Sequence, residues 1–242
     1  MKLLIIRHAD PDYAIDSLTP TGWEEAKALV PRMQKLNVKA FYVSPLGRAQ
    51  DTASLTLKAM GRTAETLPWL REFGPHITKP GEERQTCCWD WLPQLWTKDE
   101  RCFHRTDWVD AQCAAPYDLK PYLEQVYEGL DSLLADHGYV REGNFYRAES
   151  PNEDTLVFFC HFGLECVLLS RLLNISPMVL WHGTCAAPGS VTSVVTEERR
   201  PGIAYWRMNA MGDTSHLYAA GMEPSFAARF CETYANQTQR HD

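Results

Sequence analysis

Three short apolar runs, each cut off by a polar or charged residue, constrain this chain more than any other feature. The first, Leu3-Leu4-Ile5-Ile6, delivers Arg7-His8; the second, Ala40-Phe41-Tyr42-Val43, delivers Ser44-Pro45; the third, TLVFFC at 155–160, delivers His161-Phe162-Gly163. Runs of this length read as strands buried on both faces and are too short to cross a bilayer. Helical spacing follows each of them. After Thr19-Pro20, an N-cap with proline in the first turn, Trp23, Ala26, Leu29, Val30, Met33 and Leu36 recur on one face, with Pro31 expected to kink the helix. Ser44-Pro45 reads as the next helix start, running through Ala49, Thr52, Ala53 and Met60 to a stop at Gly61, and 163–173 is a third helix. Residues 191–196 and 203–208 read as two late strands flanking a polar turn. Strand alternating with helix predicts an α/β fold, a three-layer α/β/α sandwich with a mostly parallel central sheet.

The segment between the second and third units has a different composition. Trp69, Trp89, Trp91, Trp96 and Trp108 are five of the eight tryptophans, set among Pro75, Pro80 and Pro93 and many charges without sustained periodicity. That marks a long excursion with its own small packing cluster. A strong helix with Leu123, Val126, Tyr127, Leu130, Leu133 and Leu134 on one face follows, stopped by Gly138. The chain is therefore expected to be one domain over 1–242, with 74–117 as a Trp-rich cap insertion over the crevice; a structural subdomain elsewhere is the alternative. Exposed cap tryptophans would leave a homodimer interface open.

Charge and cysteine usage narrow the class. A formal net charge of -7 offers no general attraction for nucleic acid or an anionic membrane, so a bound anion must be drawn by a local cluster. The apolar opening is too short for a signal peptide. Cys87, Cys88, Cys102, Cys113, Cys160, Cys166, Cys185 and Cys231 lack paired metal-ligand spacing and read as reduced thiols of a cytoplasmic protein.

In a parallel sheet the three polar run-ends lie on the same edge, where open α/β folds place ligands. Two arginines (Arg7, Arg48), two histidines (His8, His161) and a helix N-terminus then converge. Guanidinium forks match tetrahedral oxyanions, and helix-start N–H groups add to the same field. A phosphate group fits best. Nearby positive charge keeps the imidazoles neutral, and a neutral imidazole is a competent nucleophile. An alkoxide leaving group also needs an acid.

Together RHAD, LTPTG, SPLGRAQDTA and CHFG, with the late Gly212-Asp213-Thr214-Ser215-His216-Leu217, resemble the ordered signature of the histidine phosphatase superfamily, which includes the cofactor-dependent phosphoglycerate mutases. The resemblance covers 1–73 and 155–217. It implies a phosphohistidine intermediate with His8 as nucleophile, Arg7 and Arg48 as phosphoryl clamps, and His161 stabilising the transferring group. It implies no metal and no cofactor. In this branch the acid is a glutamate in a pattern similar to Leu70-Arg71-Glu72-Phe73-Gly74, so Glu72 is the candidate, with Asp10 as runner-up. The acid-phosphatase branch has aspartate after its second histidine, where this chain has Phe162, a candidate substrate contact.

The departures are informative. Relatives follow the first motif with a Trp-Asn pair whose asparagine contacts phosphate, whereas this chain has Asp12-Tyr13-Ala14-Ile15-Asp16; Ser44 or the cap is expected to supply the contact. Mutase substrate segments are not recognisable, which favours hydrolysis of a small phosphorylated metabolite. The alternatives are mutase-type phosphoryl transfer and a non-catalytic phosphate-ligand-binding protein. Ser190 is a candidate for the pocket wall, and His182 for either the rim or the core.

Overall fold

The computed structural model describes residues 1–225 and 233–238; Cys231 lies outside them. Eight strands of the described residues form one sheet: β1 (Lys2–Arg7), β2 (Ala40–Val43), β3 (Glu65–Thr66), β4 (Tyr139–Glu142), β5 (Phe145–Ala148), β6 (Thr155–Cys160), β7 (Val191–Arg200) and β8 (Ile203–Asp213). Their order is β3-β2-β6-β1-β7-β8-β5-β4. Pairing is parallel from β3 to β1 and antiparallel from β7 outward, so the parallel part is the core of the sheet. The hairpin of β4 and β5 escapes the sequence pattern because its strands are four residues long and carry Arg141, Glu142 and Arg147.

The helices are α1 (Pro20–Met33), α2 (Gly47–Met60), α3 (Lys120–Asp136), α4 (Phe162–Leu173), α5 (Pro177–Gly183) and α6 (Ser215–Ala219). Alternate residues of β1 face opposite ways. Leu4 and Ile6 pack with Leu29 and Met33 of α1 and Ala49 and Ala53 of α2, whereas Leu3 and Ile5 join the cluster of α3, α4 and α5. Burial on both faces makes the three layers. Thr19 caps α1 by accepting the Gly22 N–H at 3.0 Å. Pro31 falls in the last turn of α1, where the helix is already ending.

The Trp-rich excursion does not form a separate cluster. It comprises a hairpin of His76–Thr78 with Gln85–Cys87, one helical turn at Pro93–Trp96, and 3-10 turns at Glu100–Phe103, Asp107–Asp110 and Ala115–Tyr117. Ile77, Trp89, Trp91 and Trp108 are buried in the same apolar core as α3, α4 and α5. Trp108 meets Trp181 of α5 edge-on, ring centroids 5.1 Å apart. Aromatic rings bury too much surface to stay on an isolated loop when the sheet's helical layer is adjacent. None of the eight tryptophans is exposed, which removes the ground for a dimer interface built on them. Cys87, Cys88, Cys102, Cys113, Cys160 and Cys166 are free thiols. No helix of the described residues is long and apolar enough to cross a membrane.

Candidate active site

Strand register brings the three run-ends together. Arg7 lies opposite Cys160 in the β1–β6 ladder, so the chain leaves both strands at one level. His8 N–H then donates to Cys160 O at 2.9 Å, and Ser44 N–H donates to Phe159 O at 2.9 Å. The result is a pair of buried imidazoles: the His8 and His161 ring centroids are 5.1 Å apart, with the planes inclined at 58°. Residues separated by 153 positions meet because parallel strands present the same end.

A hydrogen bond to a carbonyl fixes the His8 tautomer. His8 Nδ1 lies 2.8 Å from Ala9 O, which can only accept, so Nδ1 carries the proton and Nε2 keeps its lone pair. Burial, followed by the charge of Arg7, holds the His8 pKa well below the usual imidazole value. Burial also depresses His161, with His8, Arg48, Arg7 and Arg71 adding to the effect. Ser44 Oγ accepts the Leu46 N–H at 3.2 Å and lies 2.7 Å from His161 Nε2. His161 Nδ1 is a buried atom without a hydrogen-bond partner among the described residues.

Each guanidinium is held from behind. Arg7 Nη1 donates to Ala186 O at 2.5 Å, and its Cζ sits 5.6 Å from the Phe162 ring centroid. Arg48, on the first turn of α2, donates from Nη1 to Asp16 Oδ1 at 2.6 Å. Asp16 Oδ2 accepts the Gly47 N–H at 2.7 Å, so one carboxylate ties the helix start and the arginine together. Asp16 reaches this position with a left-handed backbone, φ 49°. Tyr13 covers Arg48 at 5.4 Å from its ring centroid.

Glu72 completes the group. Its Oε1 accepts the Phe73 N–H at 2.8 Å and the Leu164 N–H, in the first turn of α4, at 3.0 Å. Burial raises its pKa; the backbone N–H of Phe73 and the charges of Arg7 and Arg48 oppose that rise without cancelling it. Gly163 makes room for it: a Cβ there would lie 2.6 Å from Glu72 Oε1 and 2.3 Å from Trp89 Nε1. Two donors on one oxygen leave Oε2 to carry a proton.

A cavity of about 1600 Å³ opens over these groups, with Arg7, His8, Arg48, Glu72 and Phe162 in its wall. Residues 74–76, 82–87, 89 and 90 of the excursion also line it, whereas Ile77, Trp91, Cys102, Trp108 and Val109 are buried in the core cluster with α4 and α5. His161 and Ser44 lie behind His8, outside the cavity wall. Asp10 is a correction. Its carboxylate accepts from Thr19 Oγ1 at 2.6 Å, turned toward α1 by the short ladder of Pro11–Asp12 with Ser17–Leu18, and it does not line the cavity. Ser190 is not in the wall either; its carbonyl accepts the Arg7 N–H at 3.2 Å. His182 belongs to the excursion's packing, accepting the Trp91 N–H at 2.9 Å. Sequence reasoning missed Asp16, Tyr13 and Arg71, although Arg71 adjoins Glu72 and lines the cavity. Among the described residues no group of three or more His, Cys, Asp or Glu is arranged to hold a metal ion.

The family model of the histidine phosphatase superfamily (branch 1) matches residues 3–111, which include Arg7, His8, Arg48 and Glu72. Over that stretch the chain is similar to the histidine phosphatase superfamily. The match runs into the Trp-rich excursion, further than the signature motifs reach, and stops before His161. Solved structures support the fold over the second half. A phosphoserine phosphatase mutant from Entamoeba histolytica in complex with phosphoserine is 17% identical with TM-score 0.57, covering 89% of this chain and 98% of its own. The mycobacterial glucosyl-3-phosphoglycerate phosphatase complexed with VO3 is 17% identical with TM-score 0.58, covering 88% and 99%. The alpha-ribazole phosphatase from Shigella flexneri is 18% identical with TM-score 0.57, covering 88% and 96%. No curated protein sequence matches the chain.

Proposed function

We propose that this chain hydrolyses phosphate monoesters of small metabolites through a phosphohistidine on His8. One observation carries the reading: a neutral His8, its Nε2 lone pair set by the Nδ1–Ala9 hydrogen bond, lines a cavity beside two anchored arginines and a buried carboxyl. Arg7 and Arg48 draw the phosphoryl oxygens in and neutralise their charge. Nε2 attacks phosphorus in line as the ester P–O bond breaks, and Glu72 gives its proton to the departing oxygen. His161, packed against the His8 ring from behind, helps hold that ring in place for the transfer. Water then attacks the phosphohistidine, Glu72 takes its proton, and phosphate leaves with His8 restored. The Nδ1–H···O=C bond of His8 persists throughout and holds the ring in line.

Hydrolysis is favoured over mutase-type transfer because the cavity is far larger than a phosphoryl group and admits water, from which a mutase must shield its intermediate. Retention of His8, Arg7, Arg48 and His161 together argues against a binding protein that has lost its chemistry. Residues 74–90 act as the cap that selects the leaving group. The proteins named above whose structures hold phosphoserine or vanadate suit the same substrate class. The free thiols suit a cytoplasmic setting. The test is a chromogenic phosphomonoester assay on wild type and His8→Ala: turnover lost with the substitution supports the reading. Turnover that survives it, or none across a broad ester panel, rejects it.

A further inference from the structure

We propose that Trp69 is a stacking platform, so that the cavity selects phosphate monoesters whose leaving alcohol carries a planar aromatic ring. The inference rests on the hydrolase reading and names its substrate class.

Trp69 follows Pro68 in a 3-10 turn, three residues before Glu72, which fixes its backbone beside the reacting groups. It packs against α3 at Gly129. A Cβ at 129 would lie 2.7 Å from Trp69 Cδ2, 2.7 Å from Cε2 and 2.8 Å from Cδ1. Nearly equal distances to three atoms of the five-membered ring place that point over the ring's face, not at its edge. Glycine is unfavourable inside a helix, and here its effect is to let the indole lie flat on α3. One face is thus sealed and the other is turned away from the helix. Tyr122, Gln125 and Val126, one and two turns before Gly129 on the same helical face, line the cavity together with Trp69. Trp89, Trp91, Trp108 and Trp181 are buried, whereas Trp69 stays half-buried in the cavity wall. Trp23 and Trp96 are half-buried too, but of these three only Trp69 lines the cavity. A flat indole with one backed face prefers a planar ring over a puckered one of equal size.

Benzyl phosphate and cyclohexylmethyl phosphate separate the two, since both are esters of primary alcohols with six-membered rings. Wild type should favour benzyl phosphate about tenfold in kcat/KM, through KM. Trp69→Leu should abolish the preference, bringing kcat/KM for benzyl phosphate to that for cyclohexylmethyl phosphate, while Trp69→Phe keeps part of it. Gly129→Ala, which pushes the indole off the helix into the cavity, should also weaken the benzyl ester selectively. The matching non-hydrolysable phosphonates give the same comparison by calorimetry in His8→Ala. Equal kcat/KM for the two esters in wild type, or a preference that survives Trp69→Leu, overturns the inference and leaves the hydrolase reading standing. Phosphonates that bind with the aromatic preference while neither ester turns over would sink the hydrolase reading and leave the platform.

Discussion

Replacing Glu72 by glutamine isolates proton donation from everything else the side chain does. The amide Oε1 can still accept the Phe73 and Leu164 N–H groups at 2.8 and 3.0 Å, so the side chain stays seated at the start of α4. Its NH₂ still offers a hydrogen bond where Oε2 stood, but it cannot release a proton. General acid catalysis contributes about 10²–10⁴ in rate, or roughly 3–5 kcal/mol of barrier, and retention of the hydrogen bond places the expected loss near the lower end, about 10²–10³. The loss should fall on kcat for an alkyl phosphate, whose alkoxide cannot depart unprotonated. A nitrophenyl phosphate, whose leaving group departs as a stable anion, should lose less than about tenfold. The pH dependence carries a sign as well. Burial raises the Glu72 pKa, and the acid is active only while protonated, so alkyl-ester turnover should fall on the alkaline side in wild type and lose that limb in Glu72→Gln. Initial rates on the two esters across pH read all of this. Equal losses on both, or a loss under about tenfold on the alkyl ester, would refute proton donation from Glu72.

Three further outcomes follow from the same geometry. Ser44→Ala removes the hydroxyl hydrogen-bonded to buried His161 Nε2, so denaturant unfolding should show a loss of about 1–3 kcal/mol alongside a lower kcat. Asp16→Asn keeps the shape but removes the charge that anchors Arg48; KM for phosphate esters should rise about three- to tenfold with a smaller change in kcat. Glu165, buried on α4 with Oε1 accepting from Thr192 Oγ1, has its pKa pushed up to about 7 from an ordinary 4.5, chiefly by burial. The folded chain then binds this proton more tightly than the unfolded one, so Glu165 should withdraw up to about 3 kcal/mol of stability as pH rises between those values, and the difference between wild type and Glu165→Gln in urea unfolding at several pH values should show that contribution.

The site was legible in the sequence wherever a strand end fixed it. TLVFFC at 155–160 became β6 with the same bounds, Thr19 capped α1, and Gly61 ended α2 with φ 62°. Strand length and run-end chemistry sufficed to bring Arg7, His8, Arg48 and His161 together, and the resemblance supplied Glu72. What the sequence could not show depends on where single side chains turn. Ser44-Pro45 did not open a helix: Leu46 is still extended and α2 begins at Gly47. Asp16 anchors Arg48 only because a non-glycine residue takes a left-handed backbone, for which composition gives no signal. Asp10, two residues past His8, looked equally able to face the pocket until the ladder at Pro11–Asp12 turned it to Thr19. The excursion joined the main core because its tryptophans found Trp181 and Phe162, partners distant in the chain.

The most direct test of the mechanism is to quench the enzyme during turnover of a phosphate monoester and map the phosphorylated peptide. The account predicts an acid-labile phosphoryl group on Nε2 of His8, formed in wild type, accumulating in Glu72→Gln on a good leaving group, and absent in His8→Ala. A phosphoryl group on His161 or on any other side chain, or inversion of configuration at phosphorus showing a single displacement by water, would contradict it.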